Sequence, residues 1–183
     1  QRMSASQQVD AVARVFLTEA RARLDESADL IRHCVGQLDE AQVWARPREG
    51  MNSIGNLLLH LAGNLRQRFR ADVGGEPDVR DRFGEFTERR ESPRAELLQR
   101  LDEAVAGARD VLEGLSATTL IEPRRSKRGG GEIEVPVLAI LFQTLTHLTG
   151  HAQEIVFMTR TRLGDRYQYR SPGLVPPEMR PKG

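Results

Sequence analysis

Cysteine is almost absent from this chain: Cys34 stands alone among 183 residues. One thiol excludes an internal disulfide framework and a zinc site built on thiolates, and it fits a reducing compartment, so a cytoplasmic location is expected. A charge of one sign is also lacking, with 27 Lys+Arg against 26 Asp+Glu. No broad field for a polyanion follows, and nucleic acid is not an expected partner. Aromatic residues make up only 5% of the chain. None interrupts the basic run "RRSKR" from Arg124 to Arg128, which reads as a solvated loop. The opening "QRMSASQQVD" has no apolar segment of the kind a signal peptide needs. The weakly charged run from Val135 to Met158 carries only Glu154 as a formal charge. Its Gln143, Thr144, Thr146, His147, Thr149, His151 and Gln153 nevertheless make it too polar for lipid, where about 20 predominantly apolar residues are required. No Gly-rich phosphate loop and no GxSxG elbow is present.

What is there is helical periodicity. The length suits one compact domain across 1–183. Ile31, Cys34, Val35 and Leu38 follow the i, i+3, i+4, i+7 spacing of a buried face, continued upstream by Phe16, Ala20 and Leu24, which predicts a first helix over about 7–38. "RPREGMNS" breaks it, and Asn52 or Ser53 can cap a second helix over about 53–71. "VGGEPDVRDRFGEF" reads as a loop from its glycines and Pro77. A third helix is expected over about 92–115 with Pro93 at its first position, and a fourth from Pro136 to about Leu163. Gly129–Gly131 followed by alternating Ile133 and Val135 allows a short hairpin between helices three and four. The Pro-rich tail from about 164 to 183 is expected to be irregular. An all-α four-helix bundle is the architecture this pattern predicts.

Three of the four histidines lie in the apolar runs, in the pentapeptides "HLAGN" (60–64) and "HLTGH" (147–151). His147 and His151 are four apart, so they share one helix face with Ile140, Thr144 and Met158. A buried polar ring without a partner costs about 1–3 kcal/mol, and a bound metal satisfies two such rings at once. His60 sits between Asn56 and Asn64 in a polar stripe beside Leu57 and Leu61. One histidine from helix two and two from helix four make a three-nitrogen set with open positions, the pattern of a catalytic metal site. The competing reading is core packing, with the rings hydrogen-bonded by neighbouring threonines. Gly63 and Gly150 suggest a close approach of these helices. His33 falls off the buried stripe and reads as a surface residue, Cys34 as a small core hydrophobe, and Trp44 as a plug at one end of the bundle.

"LDEAQVWARPREG", "NSIGNLLLHLAGN" and "TLTHLTGHAQEIV", in this order between about Leu24 and Arg160, resemble the DinB/YfiT-like superfamily of four-helix metalloproteins. The resemblance implies a divalent ion, commonly nickel, zinc or iron, on His60, His147 and His151. Relatives often carry a glycine–glutamine pair before the isoleucine that follows the second helix-four histidine, where this chain has Gln153 and Glu154. Glu154 is three residues past His151, a spacing suited to orienting a ligand imidazole or accepting a proton. Asn64 lies close to the site without being a strong ligand. The resemblance also implies attack by a low-molecular-weight thiol on an electrophile, hence an S-transferase. Metal-assisted hydrolysis of an amide or ester, and a non-catalytic metal-binding bundle linked to stress, are the alternatives. A small-molecule substrate is the expected partner. Leu141, Leu148 and Ile155 form a second apolar stripe on helix four, from which a homodimer is expected unless the tail covers it.

Overall fold

Four long helices carry the fold in the computed structural model, which describes residues 3–89, 92–128 and 130–180. They are α1 (Ala5–Val35), α3 (Ile54–Leu65), α5 (Arg94–Glu113) and α7 (Val137–Leu163). Three short helices, α2 (Glu40–Trp44), α4 (Arg82–Thr87) and α6 (Ala117–Ile121), lie in the connections. The starts are set by local chemistry. Ser4, Asp39, Ser53 and Ser116 each accept a hydrogen bond from the backbone N–H three residues on, and the side chain at that position answers the capping residue's own N–H. Pro93 and Pro136 precede α5 and α7 as capping residues, so Pro93 stands one position ahead of the helical site expected for it.

The expected all-α bundle forms because each long helix has one broad apolar face. Leu24 and Ile31 of α1, Leu57, Leu58, Leu61 and Leu65 of α3, Leu97, Leu101 and Leu112 of α5, and Ile140 and Leu141 of α7 are all buried. Each such side chain contributes about 1.5–3 kcal/mol when removed from water. α1 packs along α7 and α5, and α3 lies against α5 and α7. A hydrogen bond of 3.2 Å between Ser27 Oγ and Thr149 Oγ1 marks the register of α1 on α7. Trp44 closes one end: its indole lies where a side chain at Gly55 would stand, and its Nε1 donates to the Ser92 carbonyl over 2.9 Å.

Several expectations need correction. Regular α-helix stops at Leu65, and the chain continues as a wider π-helical turn over Arg66–Val73. The segment read as a loop contains α4. The hairpin does form, β1 (Pro123–Arg128) antiparallel to β2 (Gly131–Pro136), so the basic run is a strand and not a free loop. Lys127 pairs with Asp78 at 3.0 Å and Arg124 with Glu122 at 2.8 Å. Leu141, Leu148 and Ile155 are buried within this single chain, so that stripe offers nothing to a second copy. Gly150 has open space around it, so no close helix approach explains it, and Gly63 is pressed against a side chain instead of a helix. The tail holds 3-10 turns at Gly164–Arg166, Pro172–Leu174 and Pro177–Met179, and packs through the buried Tyr167. Among the described residues no helix is long and apolar enough to cross a membrane.

Candidate metal centre

α3 and α7 lie side by side and bring His60, His147 and His151 together, with one ring nitrogen from each within 4.8 Å of the others. His60 Nε2 and His147 Nε2 are 3.1 Å apart. Two nitrogens bound to one first-row ion at about 2.0–2.1 Å stand roughly 3.0–3.4 Å from each other, so this pair is already at ligand spacing. The rings meet edge to face, with centroids 4.6 to 5.2 Å apart. His151 uses Nδ1 to hold Glu154 Oε2 at 2.7 Å, which leaves its Nε2 for the cluster. The His151 side chain is 26% exposed and that of Glu154 43%, so the cluster is reached from solvent along the Glu154 edge of α7.

His60 is fixed by α4. Its Nδ1 lies 3.0 Å from Glu85 Oε2, and a carboxylate can only accept. Phe86 packs against the same imidazole, 4.8 Å between centroids, and the Arg82 guanidinium lies over the Phe86 ring at 5.2 Å. Glu85 is clamped in turn by Arg80, whose Nε and Nη2 reach its two oxygens at 2.7 Å each. Asn56, one turn before His60, ties α4 down by donating from Nδ2 to the carbonyls of Glu85 (2.9 Å) and Glu88 (3.2 Å). Its Oδ1 accepts from Ser53 Oγ at 2.8 Å and from Arg46 Nη2 at 2.7 Å. Behind the clamp the polar chain runs on, Arg80 Nη1 to Gln67 Oε1 at 2.9 Å and Gln67 Nε2 to Asp78 Oδ2 at 2.9 Å.

A family model described as "Protein of unknown function (DUF1572)" matches residues 11–172. The chain belongs to the DUF1572 family. No curated protein shows a match to it.

The protonation of this DUF1572 site follows from burial. His147 is pushed down to about 4, first by desolvation and then by the neighbouring His151, His60, Arg80 and Arg82. His60 is also lowered: burial outweighs the opposing pull of Glu85. Burial alone pushes Glu85 up, but hydrogen bonds from Arg80 and His60 and their charges outweigh it and hold the carboxyl below its ordinary value. At neutral pH His60 and His147 are therefore neutral and Glu85 is ionised, the state a divalent metal requires of such ligands and their backing carboxylate. His147 Nδ1 is buried with no hydrogen-bond partner among the described residues. The donor set therefore fits a divalent ion.

Of the other residues singled out in the sequence, Asn64 is buried one turn beyond His60 on α3. His33 stays away from the cluster and contacts the Gln168 carbonyl at 2.7 Å. Cys34 is buried, 3.9 Å from the Tyr167 hydroxyl. Sequence reasoning missed Glu85, Arg80 and Phe86, because they fall in the segment read as a loop. Asp81, whose side chain caps α4 by accepting from Gly84 N at 2.9 Å, was the one local sign of a helix there. A cleft of about 540 Å3 lies behind the clamp and is lined by Arg80, Glu85, Gly63 and Arg66, among others. Another of about 590 Å3 lies between the end of α7 and the tail. Neither has a histidine in its lining.

Proposed function

We propose that this protein is a metal-dependent enzyme that holds a nickel, zinc or iron ion on His60, His147 and His151 and activates a low-molecular-weight thiol for transfer to a small electrophile. The convergence of three imidazoles, two of them backed by carboxylates, carries the reading. The resemblance to the DinB/YfiT-like superfamily is what favours thiol over water. When bound, the ion supplies Lewis acidity that draws the pKa of a coordinated thiol or water towards neutrality. The chain's own residues do the rest. His147 and His60 stay neutral because they are buried, and Glu85 and Glu154 hold the outer nitrogens of His60 and His151. Glu154 stands behind its ring, on the Nδ1 side, which suits it to orienting His151 rather than to taking a proton from substrate. Asn64 contributes a polar wall close to His60.

A second reading has an observation in its favour: the two clefts are lined by none of the three histidines, which suits a bundle that binds metal without turning over a substrate. Elemental mass spectrometry on untagged protein tests the common core of both readings. Near one equivalent of divalent metal is expected in the wild type and little in His147→Ala. Thiol-dependent transfer by the loaded protein, lost on replacing any of the three histidines, selects the transferase. Thiol-independent ester or amide cleavage selects a hydrolase, and full loading without either activity selects the binding bundle. No metal after reconstitution with all three ions sinks every one of them.

A further inference from the structure

The clamp on His60 contains a competition. Arg80 Nη2 lies 3.1 Å from His60 Nδ1, as close as Glu85 Oε2 at 3.0 Å. A guanidinium has only donors and a carboxylate only acceptors, so the two neighbours ask opposite things of Nδ1. If Glu85 prevails, Nδ1 carries the proton and Nε2 presents a lone pair to His147 and the metal. If Arg80 prevails, Nδ1 accepts, the proton moves to Nε2, and the ligand atom is blocked. Arg80 is drawn off by its two-pronged contact with Glu85, and the side chains of both are buried, 4% and 8% exposed.

The carboxylate reaches this position because residue 63 is glycine. A Cβ there would stand 2.0 Å from Glu85 Oε1, 3.0 Å from its Cδ and 3.4 Å from Arg80 Nε. The side chain of Glu85 therefore lies across bare backbone on α3, three residues past the histidine it holds.

We propose that Glu85, paired with Arg80 and seated on Gly63, is the positioning residue that selects the Nδ1-protonated tautomer of His60 and so keeps Nε2 free as a ligand. The consequence for metal affinity rests on the three-histidine reading; the tautomer choice does not. Partners of this kind, which fix a ligand histidine from behind, typically change metal affinity by about 10–100-fold when removed.

The test uses metal-free, nitrogen-15-labelled full-length protein, with long-range proton–nitrogen correlation reading which His60 nitrogen bears the proton, assigned by loss of the signals in His60→Gln. Zinc affinity is measured in parallel by competition with a chelator. The wild type is expected to show protonated Nδ1. In Glu85→Ala, Arg80 is left facing Nδ1, so the proton is expected on Nε2 and zinc affinity falls by about 10–100-fold. Arg80→Met with Glu85→Ala removes the competing donor and is expected to recover part of that loss, a rescue that a merely structural role does not produce. Gly63→Ala deletes no polar group; it is expected to displace the carboxylate and weaken the Nδ1 preference. Because it keeps both charged side chains, it also serves if Glu85→Ala fails to fold. Protonated Nδ1 in Glu85→Ala and Gly63→Ala alike, with zinc affinity within twofold of wild type, overturns the proposal. A wild type that takes up no zinc, yet switches tautomer on Glu85→Ala, leaves the positioning role standing and removes the metal reading instead.

Discussion

At the scale of single residues, the protein separates its polar side chains by what backs them. Glu85 and Glu154 each hold a histidine of the cluster through its Nδ1, but the first is 8% exposed and the second 43%. Solvent competes for Glu154 and screens it, so its part in ordering the ring is the weaker of the two. Cys34 shows the opposite use of burial. Burial raises its thiol pKa despite the Tyr167 and Thr159 hydroxyls, which pull the other way. A buried, protonated thiol is a poor nucleophile. The folded protein is therefore expected to react with a thiol-specific reagent at a small fraction of the rate of the denatured chain, roughly a hundredfold slower or more. Fast labelling under native conditions contradicts this. The result bears on function, because an inert Cys34 means that a thiol-transfer assay reads the added thiol and not the protein's own.

At the scale of elements, α4 is the piece that fixes His60 within the cluster. It is only Arg82–Thr87, far too short to hold itself helical in water, so its position depends on what binds it. Asn56 supplies much of that, with its amide hydrogens on the carbonyls of Glu85 in α4 and of Glu88 just past its end, and its oxygen on Ser53 and Arg46. Asn56→Ala removes the amide and strands buried partners, at a cost of about 1–3 kcal/mol per group left unsatisfied. The expected outcome is a lower melting temperature together with faster amide exchange over α4 and weaker zinc binding, although no ligand is touched. Unchanged exchange in α4 would falsify the clamp. The long helices were legible because leucines at helical spacing report a buried face whatever lies opposite. The histidine set was legible for the same reason, since polar rings at i and i+4 inside such a face stand out. α4 was not: six residues are less than two turns, Gly84 lies within it, and Gly74, Gly75 and Pro77 precede it. Nothing in the order of residues says that Glu85 is buried, because its burial is made acceptable by Arg80 and Gly63, partners supplied by the fold. The role of Gly63 was misread for that reason, as room for a helix when it is room for a carboxylate.

At the scale of the whole molecule, the site should write its protonation state into stability. His147 has a folded pKa of about 4 against an ordinary 6.5, and His60 is lowered in the same direction. Below about pH 6.5 the unfolded chain takes up protons at these positions that the folded chain refuses, so acid favours unfolding. Their contribution is fully present above pH 6.5 and is lost as the pH falls towards about 4. Glu85, held below its ordinary carboxyl value, adds a loss of the same sign further down. Metal has the same pH signature, because protons and the ion compete for the same nitrogens. At a free concentration of about one hundred times its dissociation constant, a ligand that binds only the folded state stabilises it by about 2.7 kcal/mol. In a chain of this size that corresponds to a rise in melting temperature of about 5–10 °C. Thermal melts of metal-free and zinc-loaded protein from pH 8 to pH 4 are therefore expected to diverge at the alkaline end and to converge near the acid end. The metal-free curve alone should already decline across that range. His147→Leu removes the main titrating group, so its metal-free melting temperature should fall less steeply between pH 6.5 and 4, and added zinc should raise it little at any pH. A metal-free wild type with a flat profile across this window would mean that the histidines are solvated and charged in the folded state. The cluster would then be a surface coincidence and not a site built into the bundle.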